Sequence, residues 1–111
     1  MLFRSRTVIE RLAAEHELEA CVHFAALTYV GESVQEPAQY YRNNVAQSIA
    51  LFEALVEAGG RRLVFSSTCA TYGEPERPPL DETHPHPPQN PDGWGEYFGD
   101  IILGYFASAR T

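Results

Sequence analysis

Apolar residues recur along this chain with two periods. Val8, Ile9, Leu12 and Ala13 follow Thr7 at helical spacing, and Glu10 stands three residues past that threonine, as in a capping box. The pattern predicts a first helix ending near His16. Ala20-Cys21-Val22-His23-Phe24 is short, mostly apolar and rich in strand-forming types, which predicts a buried strand. A loop through Gly31 should lead to Pro37. From Pro37 to Ala58 the spacing predicts one long helix, stopped by Gly59-Gly60. Arg62-Leu63-Val64-Phe65-Ser66 predicts a second buried strand. Glu74 to Pro91 holds seven of the eight prolines and predicts an extended surface loop. Phe98, Ile101, Ile102, Tyr105 and Phe106 then mark a last helix from Asp92 to Ala109.

Strand, long helix, strand is a βαβ unit, whose crossover should be right-handed with parallel strands. The fold class is therefore α/β, with three helices around two strands and no internal repeat or linker. Both strands send their following loops to one edge, where open α/β sheets bind ligands. Parallel sheets have both faces covered and further strands beside them, so this unit should be the middle of a larger sheet. The long helix points the same way. One stripe carries Tyr41, Val45, Ile49, Phe52 and Val56, and is expected to pack on the sheet. A second carries Tyr40, Leu51, Ala54, Leu55 and Ala58, leaving only Glu53 and Glu57 as a narrow polar strip. A helix apolar on most sides needs cover on most sides. In the last helix, Gly93, Gly95, Gly99 and Gly104 are expected to cost up to about 3–4 kcal/mol of helix stability.

Composition narrows the class. The 111 residues suffice for one modest domain, and 44% hydrophobic content excludes disorder. The net charge is −7, with eight arginines and no lysine. An acidic chain without basic clusters excludes nucleic acid and anionic membranes as partners. The run from Ala20 to Val30 is too short to span a bilayer. Met1 to Arg6 lacks a leader pattern, and the two cysteines, Cys21 and Cys69, suit reduced thiols, so a cytoplasmic location is expected.

Chemistry-bearing residues are few. Asp92 and Glu96 lie four apart in "PDGWGE", on one face of the predicted helix. An aspartate near its ordinary value of about 3.9 is a weak base, and its short side chain limits reach. The pair is expected to be a helix-start aspartate followed by a solvated glutamate, with no catalytic part. His84 and His86, with Asp81 and Glu82 nearby, make at most half a metal site, so no metal is expected. His23, within a strand, should be a packed or hydrogen-bonded core histidine. Cys69 has no basic neighbour in sequence to make it reactive.

Several separated motifs then agree in order. His23-Phe24-Ala25-Ala26-Leu27, Val30-Gly31-Glu32-Ser33-Val34, Tyr40-Tyr41-Arg42-Asn43-Asn44-Val45, Phe65-Ser66-Ser67-Thr68-Cys69-Ala70-Thr71-Tyr72-Gly73 and Asn90-Pro91 resemble the UDP-glucose 4-epimerase family of extended short-chain dehydrogenases/reductases. The resemblance runs from about residue 4 to about residue 109. It implies a Rossmann-type sheet holding NAD and a smaller C-terminal domain holding the nucleotide sugar. Residues 1–111 would then be a partial NAD-binding domain, without the N-terminal glycine-rich half or the sugar-binding domain. It also implies the family chemistry of galactose metabolism, the NAD-dependent interconversion of UDP-glucose and UDP-galactose by hydride transfer at C4. In that mechanism a tyrosine takes the hydroxyl proton. A lysine four residues on lowers the tyrosine's pKa and holds the nicotinamide ribose, and a Ser or Thr hydroxyl bridges tyrosine and sugar.

Carried over by position, Thr68 takes the Ser/Thr place. Phe24, Ala25 and Ala26 would border the dinucleotide, and Asn43 would face the nicotinamide. The departures are specific. Thr28 stands where the family often has a cofactor-contacting lysine, Asp92 stands in the tyrosine position and Glu96 in the lysine position. Gly93, Gly95 and Gly99 follow no strand and do not form a phosphate loop. Tyr97 lies roughly 140° around the helix from Asp92 and cannot replace the phenol. The expectation is an inactive epimerase-like fragment, with NAD as the family's cofactor. The alternatives are a non-catalytic module that pairs with a full-length relative, and a gene remnant. The resemblance further implies a homodimer, or a dimer with a full-length relative, through residues 38–58 and 97–106.

Overall fold

The computed structural model describes residues 6–60 and 62–109. The leader-free start expected at Met1–Ser5 lies outside the described residues. Helix α1 spans Arg6–Glu15. Thr7 is inside it and is not its cap. Glu10 instead pairs with Arg6, whose Nε donates to Glu10 Oε1 at 2.8 Å, and the same guanidinium reaches Glu57.

Strands β1 (Cys21–His23) and β2 (Leu63–Phe65) pair in parallel, with Cys21 opposite Leu63, Val22 opposite Val64 and His23 opposite Phe65. Side chains alternate across a strand. Cys21, His23, Leu63 and Phe65 turn toward the helices. Val22 and Val64 turn away and are 54% and 62% exposed. The strands expected to be buried are thus covered on one face only.

The stretch expected to be a loop through Gly31 contains a helix, α2 (Val30–Gln35). It is held by tertiary contacts: the Tyr40 hydroxyl accepts from the Tyr29 N–H at 3.2 Å and lies 2.8 Å from Glu32 Oε2. Next comes the long helical run, built of α3 (Pro37–Tyr40), a π-helical stretch (Tyr41–Ala46) and α4 (Gln47–Glu57). It ends as expected at the glycine pair. Gly59 adopts φ +82°, its N–H donates to Val56 O at 3.1 Å, and the Gly60 N–H donates to Leu55 O at 2.8 Å. A left-handed residue closing both bonds is the physical reason for glycine there.

The buried face of this run differs from the stripe expected to meet the sheet. Tyr40, Asn44, Ser48, Leu51 and Phe52 are buried, whereas Tyr41, Val45, Ile49 and Val56 are only half-buried. The π turns are wider than an α-helix's roughly 3.6 residues per turn, so positions four apart stay aligned across them.

Helix α5 (Pro91–Ser108) starts one residue before the predicted Asp92. Asn90 is its cap, accepting from the Gly93 N–H at 2.9 Å, and Pro91 occupies the first turn. Ile9, Leu51, Phe52 and Ala54 form the core, with Phe65, Ile102 and Phe106 packed against it. The α5 glycines do more than weaken the helix. A Cβ on Gly93 would lie 2.7 Å from the Ala70 carbonyl oxygen, and one on Gly99 would lie 2.6 Å from Phe65 Cζ. Close seating of α5 therefore depends on them. Only Gly104 has open space beside it among the four.

The proline-rich segment is irregular, as expected, yet not wholly on the surface, since His84 and Pro88 are buried. His84 Nε2 accepts from the Glu76 N–H at 3.0 Å and Nδ1 lies 2.8 Å from Pro85 O. Both ring nitrogens of His84 are therefore engaged by the backbone of its own segment.

Candidate functional site

The loops leaving β1 and β2 meet the start of α5 at the C-terminal edge of the strands. After β1, Phe24 is exposed, Ala25, Ala26 and Leu27 are half-buried and Thr28 is exposed. The loop is held by Asn44, which the motif placed beside Asn43 without giving it this part. The Leu27 N–H donates to Asn44 Oδ1 at 2.9 Å, and Asn44 Nδ2 donates to Leu27 O at 2.8 Å. Asn43 Nδ2 donates to the same Oδ1 at 2.8 Å, so Asn43 supports its neighbour. The signal for Asn44 was its spacing of four from both Tyr40 and Ser48 on the buried face.

After β2, Thr68 closes the strand. Its Oγ1 accepts from the Ala70 N–H at 3.3 Å, capping a 3₁₀ turn at Cys69–Tyr72. Ser67 Oγ donates to Asp100 Oδ2 at 2.7 Å, fastening this loop to the middle of α5. The Gly93–Ala70 approach sets the first turn of α5 against the turn that Thr68 caps, and Gly95 lies against Asn44. The structure thus gathers Thr68, Asn43, Asp92 and Glu96 around one edge. Cys69 is exposed there, and His23 is a core residue as expected, with Nε2 3.1 Å from Ser48 Oγ. Burial pushes its imidazole below the ordinary value.

The acid pair departs from expectation. Asp92 is 4% exposed and Glu96 3% exposed, so the glutamate is not solvated. The seating of α5 on its glycines draws both carboxyls into the interior. Asp92 Oδ1 and Glu96 Oε2 have no hydrogen-bond partner. Burial first, then the charges of Asp92 and Asp100, push the Glu96 carboxyl up from 4.5 to about 7. Burial also raises Asp92. A carboxyl that short of partners offers neither the reach of a phenol nor the positive charge of a lysine.

A cavity of 1180 Å³, lined by Leu18, Cys21, Leu55, Arg62, Leu63 and Phe106 among others, opens at the opposite edge, where the strands begin, and plays no part in this site. Among the described residues no group of three His, Cys, Asp or Glu could hold a metal ion, and no helix is long and apolar enough to cross a membrane.

A parallel α/β unit whose strand-end loops converge on a helix start is a nucleotide-binding architecture of the Rossmann type. The chain belongs to the NAD dependent epimerase/dehydratase family, whose pattern it matches over residues 3–109. It is similar to the UDP-glucose 4-epimerase of Rhizobium leguminosarum bv. trifolii, 49% identical over 100 residues, covering 90% of this chain and 31% of that enzyme. It is also similar to the UDP-glucose 4-epimerase of Streptomyces lividans, 56% identical over 92 residues, covering 83% of this chain and 28% of the relative. Among solved structures, the UDP-glucose 4-epimerase of Brucella ovis in complex with NAD superimposes with a TM-score of 0.91 at 38% identity, over 94% of this chain and 32% of that one. The chain therefore spans about a third of the length of the relatives it matches.

Proposed function

We propose that the chain is a UDP-glucose 4-epimerase-type segment that does not itself turn over nucleotide sugars. The observation that carries this is the buried, unpartnered pair Asp92 and Glu96. By resemblance these positions hold the proton-accepting tyrosine and its lysine in the interconversion of UDP-glucose and UDP-galactose. A carboxyl at residue 92 is too short to reach a sugar hydroxyl bridged by Thr68. A carboxyl at residue 96, neutral or ionised, cannot supply the positive charge by which a lysine would lower the base's pKa. Thr68 keeps only its turn-capping role.

NAD would supply the hydride acceptor in the family reaction. By resemblance it would lie along Phe24, Ala25, Ala26, Thr28 and Asn43. The residues present do not fit it well. Thr28 brings no positive charge to this edge and Glu32, an exposed acid on α2, adds a negative one, so a pyrophosphate brought there meets an acid where a donor is wanted.

The test is an assay of the purified chain with UDP-galactose and added NAD. No turnover above a heat-killed control is expected. Turnover that Thr68→Val abolishes would overturn the proposal.

A second reading, an interaction module, is favoured by the aromatic surface of α5. Trp94, Phe98, Ile101 and Tyr105 are exposed, and the Phe98 ring lies 6.4 Å from Tyr41 on the long helical run. Apart from Trp94, this surface falls in residues 38–58 and 97–106, the regions that would pair with a second copy or a full-length relative. Light scattering at several concentrations tests it: a defined dimer mass supports pairing, and a monomer at every concentration or a broad distribution of aggregates opposes it.

A further inference from the structure

Asp92 and Glu96 are each more than nine-tenths buried, stand one helical turn apart, and each has a carboxyl oxygen without a partner. Two ionised carboxylates in such a place are strongly unfavourable unless a cation joins them. A basic side chain is not supplied by the described residues. Arg6, Arg11 and Arg77 pair with other acids, Arg42 is exposed and leaves both oxygens unpartnered, Arg62 lines the cavity at the opposite edge, and the sequence has no lysine. A hard metal ion wants six or more oxygens, and no third ligating side chain joins the pair among the described residues. The unpartnered oxygens are closed to solvent, which leaves no room for an ammonium group. A proton needs no room.

We propose that the pair Asp92 and Glu96 keeps one of its two carboxyls protonated, and that losing that proton unseats the first turns of α5 from the cleft. The mechanical argument is local. The two acids flank Gly93 and Gly95, which make the close approaches to Ala70 and Asn44. Repulsion between two buried charges therefore acts where the helix is most tightly seated. Like charges one turn apart on a helix repel in any case, and burial removes the water that would screen them. The rise of the Glu96 carboxyl to about 7, caused by burial and by Asp92 and Asp100, agrees with this.

The elements packed against α5 bring other titratable groups. These are Glu32 on α2, Tyr40 on α3, Tyr41 and Arg42 on the π stretch, and Glu53 and Glu57 on α4. Cys69 and Tyr72 come from the 3₁₀ turn, and the proline-rich segment adds His86, which stacks on Tyr97 with ring centroids 5.2 Å apart. None forms a hydrogen bond or ion pair with Glu96 among the described residues, and the charges acting on it are those of Asp92 and Asp100. The inference holds whether or not the chain binds a nucleotide sugar.

Trp94, the single tryptophan of the chain, lies between the two acids in sequence, and its ring sits 6.0 Å from Tyr97 and 5.6 Å from Phe98, so it reports on the seating of the first turns of α5. The full chain is titrated from about pH 5 to about pH 9, following Trp94 emission and its quenching by acrylamide. One transition is expected, centred within about one unit of neutrality, in which Trp94 becomes more accessible as pH rises. Glu96→Gln should abolish it, Asp92→Asn should lower its midpoint, and His86→Asn should leave it in place. A flat wild-type profile overturns the proposal, as does a transition that survives Glu96→Gln or vanishes with His86→Asn. Should Glu96→Gln fail to fold by circular dichroism, Asp92→Asn decides alone, and an unmoved midpoint overturns the proposal.

Discussion

Asn44 grips Leu27 at both ends of its polar backbone, accepting from its N–H at 2.9 Å and donating to its carbonyl at 2.8 Å. Asn44 is buried, so truncating it strands two backbone groups away from water. Asn44→Ala is expected to destabilise the chain by about 1–3 kcal/mol. Urea unfolding monitored by circular dichroism measures this, and an unchanged midpoint would remove Asn44 from the account of the loop.

Glu96 links stability to pH with a definite sign. Its carboxyl is raised in the folded chain from 4.5 to about 7. Its contribution to stability is therefore fully present below about 4.5 and lost as pH rises through about 7. At mildly alkaline pH, Glu96→Gln should be more stable than wild type by up to roughly 3 kcal/mol, and this advantage should shrink toward pH 4.5. Unfolding curves of both proteins at several pH values give the difference directly.

Two glycines of α5 should respond oppositely to alanine. At Gly93 the new methyl would meet the Ala70 carbonyl oxygen at 2.7 Å and Pro88 Cβ at 3.3 Å, and backbone does not yield cheaply. Gly93→Ala is expected to destabilise by about 1–3 kcal/mol despite the better helix former. Gly104 has nothing within 4 Å, so Gly104→Ala should stabilise by up to about 1 kcal/mol. Thermal unfolding of the two variants separates packing from propensity.

NAD should bind this chain weakly. Glu32 on α2 is an exposed acid near the edge where the dinucleotide would lie by resemblance, and Thr28 brings no positive charge. Calorimetric titration is expected to give a dissociation constant no tighter than about 1 mM. Low-micromolar binding would show that the loops after β1 and β2 suffice to hold it.

Local pattern carried far in this chain. Period and punctuation marked both strands, the long helical run and its end at Gly59-Gly60, and α5 to within a residue of its start, because these signals reside in neighbouring residues. The motif order from His23 to Pro91 carried the family. Helix α2 was hidden because its support comes from Tyr40, eight residues beyond Glu32, and not from its own six residues. The buried face of the long run was misplaced because the π turns between Tyr41 and Ala46 rotate it away from α-helical periodicity.

The sequence by itself carried the family and set two acids, Asp92 and Glu96, four residues apart, where the resemblance leads one to expect a tyrosine and a lysine. Only the tertiary structure decided what those acids became. On an isolated helix they would face water and ionise freely. Gly93 against Ala70, Gly95 against Asn44 and Gly99 against Phe65 draw that face of α5 into the molecule, and burial takes away the solvent that keeps carboxylates charged. Burial arises from contacts between distant segments, so no spacing within α5 could have disclosed it.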